Sequence, residues 1–280
     1  MVTAAGLDLA PLLAQAGLTI EQIADRESRF RAQSQVKFLQ IAADAVGDDL
    51  LGFHLARDAE MREAGLLYYV LASSDMLGES LRRAERYSAI NNEGIALRVH
   101  DEGATALAFQ YVGIDRQWDR HQIEYLLTAV VRICRQLTNR HLHPRHVRVM
   151  HRRSGGAPAL NAFLGCPVAF GSDADEIVFS ESIKDLPVVS GDPHLNSLLV
   201  KFCEEALADR AATRGTFRRD VEDTSALLLP HGRAQMGEVA ARLGMSRRTL
   251  ARRLAAEGLT FAGVLADLRV ALAKRDGIET

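Results

Sequence analysis

A chain of 280 residues with 48% hydrophobic and 25% charged residues has room for two domains and is too apolar to be disordered. Its net charge of -2 conceals a split: residues 210–280 carry 13 Lys/Arg against 8 Asp/Glu, whereas residues 1–209 carry 21 against 28. Such a division suggests a basic module for a polyanion attached to an acidic domain with another task.

The opening stretch MVTAAGLDLAPLLAQAGLTI has no basic start and holds Asp8, Pro11 and Gly17 within its apolar run. It fits neither a secretory signal nor a membrane span, so a cytoplasmic protein is expected. In QVKFLQIAADAVGDDLLGFHLARD, Val36, Leu39, Ile41, Ala43 and Val46 recur at helical spacing until Gly47, which predicts two packed helices. MLGESLRRAERYSAI predicts another, with Leu77, Leu81, Ala84 and Tyr87 on one stripe and Arg82, Arg83 and Arg86 off it.

The period then changes to two. Ile95, Leu97 and Val99 alternate with Ala96, Arg98 and His100; Asp101, Glu102 and Gly103 read as a turn; Leu107, Phe109 and Tyr111 alternate again. That is the pattern of a β-hairpin with one apolar face. A helix is expected from Trp118 to Arg140, strands at His146 to Met150 and Asp175 to Phe179, and a helix from Asp192 to Leu207 with Asp192 as cap and Pro193 first. The segment ADRAATRGTFRRD, residues 208–220, is basic and poor in large apolar groups, and the domain boundary is drawn there. Beyond it the chain reads as helical, broken at Pro230, His231 and Gly232.

MGEVAARLGMSRRTLARRLAAEG, Met236 to Gly258, supplies what a helix-turn-helix needs. Ala240 is the small residue where the helices cross, Gly244 makes the turn, and Val239, Leu243, Met245, Leu250 and Leu254 form the inner face. Ser246 is suited to cap the second helix. At about 100° per residue, Arg248 and Arg252 fall nearly opposite Leu250 and Leu254, so burying the leucines aims these arginines outward. An arginine in the major groove can donate two hydrogen bonds to guanine O6 and N7. Ser246, Arg247, Thr249 and Arg253 flank that edge, where contacts to phosphate would fix the register.

With these residues in place, LGMSRRTLARRLAAEGLTF followed by LADLRVALAKR resembles the first helix-turn-helix and the connecting helix of the AraC family of bacterial transcription regulators. LQIAADAVGDDLLGFHLA, LGESLRRAERY, FLGCPVAFGSDADEIVFS and DLPVVSGDPHL resemble the arabinose-binding-type sensing domain found in one branch of that family. The resemblance implies an effector-responsive regulator, commonly dimeric through its amino-terminal domain. It also implies a second helix-turn-helix, whereas here Lys274 and Arg275 are followed only by DGIET. The terminal residues Arg275 to Thr280 are therefore expected to fray.

Other constellations are weaker. In HLHPRHVRVMHRR, His146 and His151 fall on opposite faces of the expected strand, which does not favour a metal site. Arg152 and Arg153, with Ser154, Gly155 and Gly156, would present cations and backbone N–H groups to an anionic effector, or form a plain basic turn. Phe109 and Tyr111 would line an effector pocket, or serve as core. Asp173, Asp175 and Glu176 read as a solvated turn rather than a Mg²⁺ site. Cys134, Cys166 and Cys203 form no close pair, and Cys166 has no basic activator beside it in sequence, so reduced structural thiols are expected. No catalytic dyad or phosphate loop is present to support an enzyme, and no metal or cofactor is implied.

The expected architecture is an α+β sensing and dimerisation domain, residues 1–209, with helices and a small antiparallel sheet, followed by an all-α DNA-binding segment, residues 210–280. The expected partners are double-stranded DNA, a small-molecule effector and a second copy of the chain, with no membrane. The alternative is a truncated regulator without DNA binding that acts by dimerising with full-length relatives.

Overall fold

The computed structural model describes residues 2–24, 32–101, 103–112, 116–179, 183–213, 217–256 and 258–275. It divides into an α+β unit, Met1–Ala208, and an all-α unit, Asp209–Thr280. Among the described residues no helix is long and apolar enough to cross a membrane.

The first unit opens with α1 (Leu9–Ala16), capped by Asp8, whose Oδ1 accepts from the Ala10 N–H at 3.1 Å. After α2 (Ile20–Ala24) come α3 (Ala32–Val46) and α4 (Leu51–Asp58), the pair expected on either side of Gly47. Next are α5 (Leu66–Ala72) and α6 (Leu77–Tyr87). In α6 the stripe of Leu77, Leu81 and Tyr87 is buried, Ala84 packs against it, and Arg82 and Arg86 are exposed.

The hairpin forms as β1 (Ile95–Asp101) and β2 (Thr105–Tyr111), antiparallel, with Leu97 opposite Phe109. Glu102, in the expected turn, lies outside the described residues. Then follow α7 (Arg120–Thr138), β3 (Pro144–Val149), α8 (Pro158–Leu164), β4 (Val168–Phe170) and β5 (Asp175–Phe179). The strands make one sheet in the order β1-β2-β5-β3-β4. The pairing is antiparallel except between β3 and β4, which run parallel. A parallel pair needs a crossover rather than a tight turn, and α8 supplies it.

One face of the sheet, with Leu97, Leu107, Phe109, Val147, Val149 and Ile177, is buried in a common core with Ile123, Leu127, Val131 and Cys134 of α7. Helices α4 and α7 approach closely at Gly52, where a Cβ would collide with the carbonyl of His121. This contact fixes the start of α7, which matters for the site below.

Next comes α9 (Pro193–Thr213), which runs past the last residue of the first unit, Ala208, with the Leu195 N–H donating to Asp192 Oδ1 at 2.9 Å. The helix therefore runs past the expected end at Leu207; Arg214 to Thr216, in the expected boundary, lie outside the described residues. The second unit holds α10 (Phe217–Leu228), α11 (Met236–Arg242), α12 (Arg247–Ala256) and α13 (Phe261–Arg275). Residues 276–280, most of the tail expected to fray, lie outside the described residues. Each helix contributes to one small core: Val221, Leu228, Val239, Ala240, Leu250, Leu254 and Val264 are all 1% exposed or less.

Candidate functional site: a basic helix and a polar cleft

Helices α11 and α12 are joined by a turn in which Gly244 adopts φ 66°, a conformation that L side chains resist. The Gly244 N–H donates to the Ala241 carbonyl at 3.1 Å and the Met245 N–H to the Ala240 carbonyl at 2.9 Å, closing the end of α11. Ala240 is 1% exposed, as the crossing point of two helices requires. The Thr249 N–H donates to Ser246 Oγ at 3.2 Å, so Ser246 caps α12 while remaining exposed at its start.

Leu250 and Leu254 are fully buried, each worth roughly 1.5–3 kcal/mol of apolar burial. Their burial sets the rotation of α12. Arg248 and Arg252 are exposed and form no ion pair with a described residue. The two flanking arginines differ. The stem of Arg247 lies along Gly237 of α11, with its Cδ 3.5 Å from where a Cβ would be. The Arg253 guanidinium sits 5.4 Å from the centroid of the Phe217 ring of α10. Thr249 is half-buried, its hydroxyl 3.0 Å from that of Ser246.

The first unit has a cleft of about 550 Å³. Gln40 of α3, Asp119 and Arg120 at the start of α7, and His151 and Arg152 just beyond β3 line it, with Arg116 and Met150 completing the wall. Arg116 Nη2 lies 2.6 Å from both Asp119 Oδ2 and Asp175 Oδ2, and its Nη1 donates to Met150 Sδ at 2.8 Å. Arg120 pairs with Asp49 at 2.7 Å. Arg152 is exposed and forms no ion pair with a described residue.

Behind the cleft lies a buried polar cluster. The Glu124 carboxylate, fully buried on α7, accepts from Arg153 Nη1 at 2.8 Å, and Arg153, only 1% exposed, also pairs with Asp49. Burial raises the Glu124 carboxyl to about 7 against the pull of Arg153. His151 lies 3.5 Å from Glu124 Oε1, and neither of its ring nitrogens has a hydrogen-bond partner. Burial depresses it, and His121 as well, to about 4, so both are neutral imidazoles.

The residues singled out for effector contact thus separate. Arg152 lines the cleft; Tyr111 stands beside it, its ring 4.8 Å from the Arg116 guanidinium. Phe109 is part of the core at 5% exposure, and Arg153 is committed to Glu124 and Asp49 rather than offered to a ligand. The acids at residues 173–176 are likewise taken: Asp173 and Glu176 pair with Arg148, and Asp175 with Arg116. The strand ends at Val149, leaving His146 exposed on it and His151 beyond it. Burial raises the Cys166 thiol, which disfavours the thiolate that a nucleophile would need. Sequence reading overlooked Gln40, Arg116, Asp119 and Arg120; only their convergence in space marks them.

A helix-turn-helix joined to an α+β unit with its own cleft is the build of a transcription regulator. Residues 6–188 match the family model described as the arabinose-binding domain of AraC transcription regulator, N-terminal, and the chain belongs to that family. It is similar to the HTH-type transcriptional regulator VirS of Mycobacterium tuberculosis, from strains CDC 1551 / Oshkosh and ATCC 25618 / H37Rv. The two are 24% identical over 243 residues, covering 86% of this chain and 71% of the relative. Among solved structures it matches the transcriptional regulator CdpR from Pseudomonas aeruginosa at 20% identity and TM-score 0.49, over 80% of this chain and 73% of that one. These curated relatives are regulators, not enzymes.

Proposed function

We propose that the chain is an effector-responsive regulator that reads double-stranded DNA by placing α12 in the major groove, and that it works as a homodimer. The observation that carries the reading is the pose of Arg248 and Arg252. Both are exposed and, among the described residues, unpaired, on a helix whose opposite face is locked by two fully buried leucines. Arg247 and Arg253, braced on neighbouring helices, suit phosphate contacts that fix orientation.

Arg248→Ala and Arg252→Ala are each expected to weaken binding to a promoter fragment by about 1–3 kcal/mol, with the thermal melt unchanged because neither side chain is packed. Fluorescence anisotropy beside a circular-dichroism melt checks this. Variants that bind like the wild type refute the base-reading role.

The dimer reading is supported by α9. Asn196, Leu199, Cys203 and Leu207 turn one side of this helix to the core, yet Leu195, Leu198 and Phe202 form a second apolar stripe, 43%, 43% and 57% exposed. A second copy of the chain would cover it across a two-fold axis and present two reading heads to two half-sites. Sedimentation at micromolar concentration is expected to show a dimer that Phe202→Asp converts to monomer. A wild-type monomer throughout that range sinks this part of the reading.

A further inference from the structure

The exposed face of α12 is of one chemical kind, and that kind restricts the bases it can read. At about 100° per residue, Arg252 lies opposite the midpoint of the buried pair Leu250 and Leu254, and Arg248 stands about 40° to one side of it. Arg247 and Arg253 turn toward neighbouring helices, the first along Gly237 and the second over the Phe217 ring. The outward surface is left to Arg248, Arg252 and two exposed alanines, Ala251 and Ala255.

A guanidinium donates hydrogen bonds and never accepts them. From Arg247 to Ala256 the helix holds no Asn, Gln, Asp or Glu, the side chains that accept from the amino groups of adenine and cytosine. The hydroxyls of Ser246 and Thr249 are engaged with each other at 3.0 Å, and Ser246 Oγ also accepts from the Thr249 N–H at 3.2 Å. In the major groove guanine alone presents two neighbouring acceptors, O6 and N7. Adenine sets a donor beside its N7, thymine offers one acceptor, and cytosine offers a donor. Two donor-only heads therefore match two guanines and mismatch the amino groups of the other pairs.

The spacing of the heads is set by the helix. Four residues rise about 6 Å and successive base pairs about 3.4 Å, so side chains anchored at 248 and 252 reach bases about two steps apart. The short side chains of Ala251 and Ala255 let the helix approach the base edges, and their methyls suit thymine methyl groups. Neither arginine forms an ion pair with a described residue, so neither must leave a carboxylate before it meets a base.

We propose that the operator half-site read by α12 contains two G·C pairs within three consecutive base pairs, one guanine held through O6 and N7 by Arg248 and the other by Arg252. The proposal rests on the reading of the chain as a DNA-binding regulator and names the base pattern that this regulator recognises.

The test selects a pool of short duplexes of random sequence against the full chain at low salt. Enriched sequences are expected to share the two closely spaced G·C pairs. Replacing either guanine by 7-deazaguanine, which puts C–H in place of N7 and keeps the base pair, should weaken binding by about 10-fold or more, the worth of a hydrogen bond from a charged donor. A contact to phosphate would not register that change. Arg248→Ala should bind one of the two 7-deaza duplexes as well as its unmodified parent and still lose affinity on the other; Arg252→Ala should show the reverse. Both variants should melt like the wild type, since neither side chain is packed. Enriched sites that lack the paired guanines, binding that ignores sequence, or 7-deaza losses that persist in both variants each overturns the proposal and leaves DNA binding standing. A chain that binds no duplex at all removes the DNA-reading function and the proposal together.

Discussion

Replacing Arg153 with methionine lowers the stability of the first unit by about 3–5 kcal/mol at about pH 8, and by distinctly less at about pH 5.5. The guanidinium is 1% exposed and joins Glu124 of α7 to Asp49, which lies just ahead of α4. Without it the Glu124 carboxylate must either remain charged in a dry site or take up a proton. Its carboxyl is already raised to about 7 by burial, so below that pH the proton is present and the loss shrinks to the contacts with Asp49.

The same group sets a pH dependence in the wild type. Because the folded value lies above the unfolded one, near 4.5, Glu124 contributes stability that is complete below about pH 4.5 and lost as the pH rises through about 7. His121 and His151 act oppositely: depressed from 6.5 to about 4, they contribute above pH 6.5 and lose that contribution as the pH falls through 4. Urea unfolding followed by Trp118 fluorescence at both pH values checks the Arg153 result. A loss independent of pH would mean that Glu124 does not titrate in this range.

Leu250→Ala is expected to cost the second unit about 2–5 kcal/mol, the range for emptying a fully buried leucine site. A unit of this size buries a small core, so a loss of that order melts much of it at ambient temperature. The signature is divided between the units. Helical circular dichroism falls, the Trp118 transition of the first unit stays where it was, and DNA binding disappears with the fold. Arg248→Ala, by contrast, removes a contact from an intact helix. A Leu250→Ala variant that keeps its helicity and binds DNA would show that Leu250 does not hold α12 in place.

What could be read from the sequence was local. The hairpin of β1 and β2, the stripe of α6, β5 at Asp175–Phe179, the Asp192 cap and the inner face of the helix-turn-helix all follow from spacing within one segment. Strand β4 escaped notice because three residues between Pro167 and Gly171 carry no period of their own. Its parallel place beside β3 depends on α8, a crossover that no short-range pattern announces. Arg153 read as part of a basic turn because its partner Glu124 stands 29 positions away on another element. Arg253 likewise finds Phe217 only in three dimensions. The cleft was legible only at Arg152, since its other walls come from α3, the approach to α7 and the exit of β3.

The central claim, that α12 reads DNA, is tested most directly by anisotropy of the chain on a promoter duplex at several salt concentrations, beside the double variant Arg248→Ala/Arg252→Ala. The wild type is expected to bind, with log K falling against log salt by about 0.9 for each phosphate neutralised. The double variant should lose about 2–6 kcal/mol if the two contacts are independent, with both units melting as before. Wild-type protein that fails to bind at low salt, or a double variant that binds as tightly as the wild type, would contradict the account.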